Sequence, residues 1–178
     1  MTFARLRAAD LVAFVAALGL LFVTAADWYS TQGGRQAREF EQGAPARGEG
    51  AELADDAAAT AEGEERNAWQ ADAAIDRAIL AGLLATAAFA IFAAFARAAG
   101  RRYERGLGPT AWAGLAAALT GLLVLYRVIQ EPGSDEVNTI QFGAPLALAV
   151  LGVIALACAA SMRAEEKGAE FREVKPAA

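Results

Sequence analysis

The stretch Ala78 to Ala96, AILAGLLATAAFAIFAAFA, decides the fold class of this chain. It holds no charged residue, and most of it is alanine and leucine, which favour helix over strand. A helix of this length, rising about 1.5 Å per residue, nearly matches the roughly 30 Å of hydrocarbon in a bilayer. It lacks the polar face of a surface amphipathic helix, so burial in lipid is the economical reading.

Three further stretches read the same way. The first runs from about Leu11 to Ala26 (LVAFVAALGLLFVTAA), the third from about Thr110 to Ile129 and the fourth from about Phe142 to Met162. The first is slightly short and needs Ala8 and Ala9, or local thinning of the bilayer, to reach across. Over 178 residues the hydrophobic share is 56%, above the usual 45–50% of soluble domains, and it is clustered in these four runs. The sequence therefore predicts a single membrane domain over 1–178, an all-α antiparallel four-helix bundle.

Orientation follows from the basic residues. Arg5 and Arg7 precede the first span, Arg97, Arg101, Arg102 and Arg105 lie between spans two and three, and Arg163, Lys167, Arg172 and Lys175 follow span four. The connection Gln130–Gln141 carries Glu131, Asp135 and Glu136 and no basic residue. All three basic clusters fall on one side only if both termini are cytoplasmic, with 163–178 as a cytoplasmic tail, in a bacterial cytoplasmic membrane. Arg5 and Arg7, an apolar run and Val-Thr-Ala at 23–25 also match a secretory signal with a small-residue cleavage site. The run is longer than a usual signal core, and Trp28-Tyr29 after it reads as an interfacial anchor, so a retained span is preferred.

The segment 27–74 then lies outside. Acids outnumber its four arginines (Arg35, Arg38, Arg47, Arg66), and its middle, GAPARGEGAELADDAAATAEGEE, is poor in bulky apolar residues. Such composition buries too little surface for a separate core, so a long, mobile acidic extracytoplasmic loop is expected. Its Ala/Glu-rich second half has helix propensity and would extend span two outward through Trp69. Gly108-Pro109 starts span three and Pro132-Gly133 turns the chain after it.

Several chemistries are excluded by composition. With no histidine and a single cysteine, Cys158, one chain can assemble neither a His/Cys zinc site nor a catalytic triad nor a dithiol pair. No basic stripe marks a nucleic-acid surface. The expectation is no enzymatic activity, no cofactor, no metal and no nucleic-acid partner. Cys158 reads as a small packing residue.

Polar groups at the membrane edge are costly and are the places to look for function. Asp27 closes span one, Asp76 and Arg77 open span two, and Arg127 lies near the end of span three. Asp76 and Arg127 fall at the same depth and form a candidate outer-mouth ion pair, read either as an ion or proton site or as a structural bridge. Asp72 and Asp76 stand four apart on one helix face, and with Asp27 they make a candidate acidic rim. A divalent-cation site there lacks the ligand spacing of a known loop, so a solvated rim is the plainer reading. Trp28, Trp69 and Trp112, with Tyr29, Tyr103 and Tyr126, read as belt anchors. Small residues recur at Gly114, Ala117, Ala118 and Gly121 and at Gly152, Ala155 and Ala159, fitting close helix packing within the bundle or between copies in a homo-oligomer.

The aromatic pair Trp28-Tyr29, Trp69 shortly before Asp76, the run Tyr126-Arg127-Val128 leading to Pro132-Gly133, and Gly143 form a recurring arrangement. In these features the chain resembles a group of uncharacterised small four-span, alanine- and leucine-rich membrane proteins of high-GC actinobacteria. It departs from them at Asp27, where proline is frequent, and in its long acidic loop. The resemblance implies four retained spans and supplies no activity. The expected role is a non-enzymatic accessory, scaffold or interaction component of the cell envelope, whose acidic loop is a contact surface for a cationic envelope protein partner or for envelope ions. The alternative is a small oligomeric transporter or channel component with Asp76 and Arg127 at its outer mouth.

Overall fold

The computed structural model describes residues 6–43, 49–69, 74–101, 108–130 and 138–173. The chain is mostly helical. In order it forms α1 (Ala8–Val23), β1 (Asp27–Thr31), α2 (Gln32–Gly43), α3 (Glu49–Glu64), β2 (Glu65–Asn67), α4 (Ala74–Ala98), α5 (Pro109–Ile129), β3 (Asn138–Ile140) and α6 (Gly143–Glu173). Among the described residues three helical stretches are long and apolar enough to cross a membrane: Ala74–Ala98, Pro109–Ile129 and Gly143–Glu166. The fourth apolar helix, α1, has 16 residues, which reach only about 24 Å.

Helix ends follow local chemistry. Asp10, in the first turn of α1, accepts a hydrogen bond from the Arg7 backbone N–H at 3.0 Å, satisfying a donor at the helix start. At its other end Thr24 turns its hydroxyl onto the Leu21 carbonyl at 2.6 Å. The Trp28 indole N–H donates to the Val23 carbonyl at 2.9 Å. Helix α4 stops at a glycine: Gly100 has φ 73°, Arg101 N–H donates to Ala96 O at 3.0 Å and Gly100 N–H to Arg97 O at 2.8 Å. This paired closure needs the left-handed conformation that glycine adopts without strain. Pro109 opens α5 with Gly108 as its N-cap.

Helix α1 packs on α4 and α6, and α5 packs on the same two helices. The interior is built mainly of small side chains. Ala17, Ala87, Ala113, Ala117 and Ala147 are buried, with Leu20, Leu83, Leu151 and Ile154 filling the space between them. Gly82 admits α5 so closely that an added Cβ would collide with the Thr120 side chain, and a Cβ on Gly114 would stand 3.2 Å from Cys158. Large apolar side chains point outward instead: Leu122 is 63% exposed, Leu156 74% and Phe142 72%. Small residues inside and large ones outside is the packing of helices whose surroundings are lipid; in water such an apolar surface would drive association.

A three-stranded sheet in the order β2-β1-β3 covers one end. Strand β1 pairs antiparallel with both neighbours, Ser30 opposite Glu65 and Tyr29 opposite Ile140. Its backbone is anchored to the helices, since Gln141 N–H donates to Trp28 O at 2.9 Å and Ala68 N–H to Thr24 O at 3.2 Å.

These features correct six expectations. The fold is not purely α, because the sheet joins segments far apart in sequence. Span one starts and ends earlier than Leu11–Ala26, and Asp27 heads a strand instead of closing a helix. Within the segment 27–74, expected as a loop with helix propensity only in its second half, the described residues form β1, α2, α3 and β2, the two helices packing on each other. Helix α3 does not continue into α4, because β2 lies between them. Trp28 is no belt anchor, being 2% exposed within the core, where its ring is screened from both lipid and water. Trp69 and Trp112 do stand exposed, the latter stacked on Phe89 with ring centroids 6.4 Å apart.

Candidate functional site

Two arginine–aspartate clusters lie at opposite ends of the apolar helices. The first was expected. Asp76 occupies the first turn of α4 and Arg127 the last turn of α5, places where the helix dipole favours an acid and a base respectively. Packing of α4 on α5 sets them side by side. Arg127 Nε donates to Asp76 Oδ1 at 2.7 Å and Nη2 to Oδ2 at 2.8 Å. This two-pronged geometry is among the stronger forms of ion pair. The side chains are 13% and 22% exposed, and the guanidinium lies 5.8 Å from the centroid of the Tyr29 ring, within cation–π range. Both carboxylate oxygens of Asp76 are thus occupied by Arg127.

Of the two other candidate rim acids, Asp27 is exposed at the head of β1, and Asp72 lies outside the described residues. Beneath the sheet, Trp28 fills the space beside the first residue of α6. A Cβ on Gly143 would stand 2.6 Å from the Asp27 carbonyl oxygen and 2.6 Å from the indole Cδ1. Only glycine fits that approach without displacement. Among the small residues, Ala117 is buried, Gly114 faces Cys158, and Gly121 and Gly152 have open space around them.

The second cluster escaped the sequence reading. Asp10 of α1 is 7% exposed. Arg97, near the end of α4, donates through Nη1 to Asp10 Oδ1 at 2.7 Å and Oδ2 at 2.9 Å. Ser161 of α6 donates to Asp10 Oδ1 at 2.7 Å and accepts from Arg97. Arg97 Nη2 reaches Thr110 Oγ1 of α5 at 3.4 Å and forms a short contact with Glu165 of α6. Arg7 closes the group by donating to the Ser161 carbonyl at 2.9 Å. One guanidinium therefore joins four helices, and the buried carboxylate is satisfied by an ion pair, a hydroxyl and a backbone N–H, which offsets its desolvation.

A recess of about 10 Å³ beside this cluster is lined by Asp10, Thr110, Cys158, Ser161 and alanines, space for about one water with polar partners. One sequence signal pointed here: Asp10 is an acid inside an otherwise basic flank, directly against an apolar run. Arg97 looks like an ordinary flanking charge, and Ser161 like a tolerated hydroxyl.

Deeper in, the Thr86 hydroxyl of α4 is fully buried and is the one buried side-chain polar atom without a hydrogen-bond partner among the described residues. Also among them, no three of His, Cys, Asp and Glu gather closely enough to hold a metal ion. No protein-family model matches the chain, and neither a curated protein nor a solved structure gives a match.

Proposed function

We propose that this chain is a non-enzymatic component of a bacterial cytoplasmic membrane: an antiparallel bundle of four spans, α1, α4, α5 and α6, serving as an accessory or scaffold. In this reading the Asp10 end faces the cytoplasm, the Trp28 end faces outward, and α2 and α3 stand in the extracytoplasmic space. The basic clusters around the Asp10 end support that orientation.

The observation that carries the scaffold reading is that the carboxylates of Asp76 and Asp10 are both engaged by partners on neighbouring helices. Asp76 spends both oxygens on Arg127, and Asp10 is held by Arg97, Ser161 and the Arg7 backbone. Buried charges paired in this way fix helix positions. The surface of α2 and α3 is available to a partner: Glu39, Glu52, Asp55, Asp56 and Glu62 are exposed there, as are Phe40 and Leu53. That mixture of acids and apolar side chains suits a basic, amphipathic segment of an envelope protein.

Three measurements test the reading. With Cys158→Ala as background, a probe at Ala59→Cys in α3 labels with an impermeant thiol reagent from outside intact cells; labelling only after lysis overturns the orientation. Replacing residues 32–64 by a Gly/Ser linker leaves the bundle folded in detergent but removes an in-membrane cross-link to a partner. Neutralising Glu52, Asp55 and Asp56 together removes the same cross-link. A cross-linking pattern unchanged by both variants overturns the scaffold role, and flux of ions through proteoliposomes of the pure protein replaces it with a conduit.

A further inference from the structure

Arg97 has two faces with different partners. Its Nη1 side points to Asp10 and Ser161, which are 7% and 1% exposed. Its Nη2 side points to Thr110 and to Glu165, whose side chain is 52% exposed. The first set is held by burial. The second is an anion resting on a guanidinium at the solvent edge, where an ion pair contributes little and a competing anion exchanges readily.

Charge counting shows what kind of anion would fit. Arg7, Arg97, Asp10 and Glu165 make a neutral group of four. With Glu165 turned to water, the remaining three carry one net positive charge beside the Thr110 hydroxyl, whose oxygen accepts from Nη2 and whose own hydrogen can be donated to a ligand. A singly charged phosphodiester restores neutrality, and its several oxygens can accept from Nη2 and from Thr110 together. In the orientation proposed above, this edge lies at the depth of the cytoplasmic headgroups, where anionic phospholipids meet basic clefts between helices.

We propose that Arg97 and Thr110 form a binding site for the phosphodiester headgroup of an anionic phospholipid, and that Glu165 is its built-in competitor. The lipid displaces the Glu165 carboxylate from Nη2 of Arg97. The depth of the site rests on the proposed orientation, but binding itself has no sidedness in detergent, so the two readings fail separately.

The full-length protein, purified in a neutral detergent, is titrated with phosphatidylglycerol or phosphatidylcholine, and bound lipid is counted by native mass spectrometry. The expected result is selective retention of phosphatidylglycerol, about twofold to fivefold tighter in Glu165→Gln, the size set by losing one exposed ion pair. Glu166→Gln removes the same charge one residue on, at an exposed position, and is expected to leave the affinity unchanged. Thr110→Val is expected to weaken it. Equal tightening by Glu165→Gln and Glu166→Gln shows bulk electrostatics only and overturns the site. Equal retention of phosphatidylcholine overturns it as well. Displacement of the lipid by an equal concentration of inorganic phosphate assigns the site to a soluble anion and overturns the lipid reading.

Discussion

Gly143 and Trp28 meet where the first turn of α6 passes under β1, so closely that a methyl group on Gly143 would stand 2.6 Å from the indole ring and 2.6 Å from the Asp27 carbonyl oxygen. The indole in turn donates to Val23 at the end of α1. One aromatic side chain thus joins the end of one helix, the start of another and the central strand of the sheet. Gly143→Ala must push backbone aside, and overpacking of this kind costs about 1–3 kcal/mol. Gly152→Ala, with open space around it, is the control and is expected to be neutral. Thermal unfolding of both variants in the same detergent checks the contrast.

Trp28→Phe keeps most of the apolar volume but removes the donor to Val23 O. Val23 O keeps the Ala26 N–H at 3.2 Å, so the cost is that of one lost hydrogen bond and the missing ring atoms, about 1–3 kcal/mol. The same melting experiment reads it, and an unchanged midpoint would show that water replaces the indole N–H there.

Removing either partner of the Asp76–Arg127 pair leaves a mostly buried charge without its counter-ion. Asp76→Asn and Arg127→Gln are each expected to lower stability by about 1–3 kcal/mol, the range for hydrogen bonds to charged groups. The exchanged pair, Asp76→Arg with Arg127→Asp, recovers only part of the loss. It restores opposite charge but sets each residue against the local helix dipole. A double-mutant cycle on unfolding midpoints measures the coupling, and strict additivity of the single variants would deny the pair any role.

Ser161→Ala deletes a hydroxyl that donates to Asp10 and accepts from Arg97. About 1–2 kcal/mol is expected, and Asp10→Ala costs more because it leaves the Arg97 guanidinium at the buried junction of four helices. Comparison of the two by thermal unfolding shows whether Arg97 or the hydroxyl holds the cluster together.

Thr86→Val points the other way. The threonine hydroxyl is buried without a partner, and the isosteric methyl carries no desolvation cost. A gain of about 1 kcal/mol is expected. A loss instead would reveal a partner for this hydroxyl inside the helix pair.

Much of this was legible in the sequence. The apolar helices announce themselves by length and by alanine and leucine content, and the pairing of Asp76 with Arg127 follows from two charges at matching depth on helices joined by a short connection. The Asp10 cluster was less legible because its members are each ordinary in their own segment: an arginine flanking a span, a serine near a helix end. Their meaning arises only when α1, α4 and α6 are packed. Strand β1 was missed for a related reason. Asp-Trp-Tyr-Ser-Thr is too short to show a period, and its partners lie at Glu65–Asn67 and Asn138–Ile140, distances along the chain that no local pattern spans.

The sequence by itself determined that this chain is helical and apolar enough for a membrane, because hydrophobic length and charge asymmetry are additive properties read residue by residue. Only the tertiary structure decided which polar side chains are buried together, why residue 143 must be glycine, and that Trp28 is core. Those are matters of ångström-scale proximity between segments, set by how small side chains let helices approach, and one-dimensional order does not encode them directly.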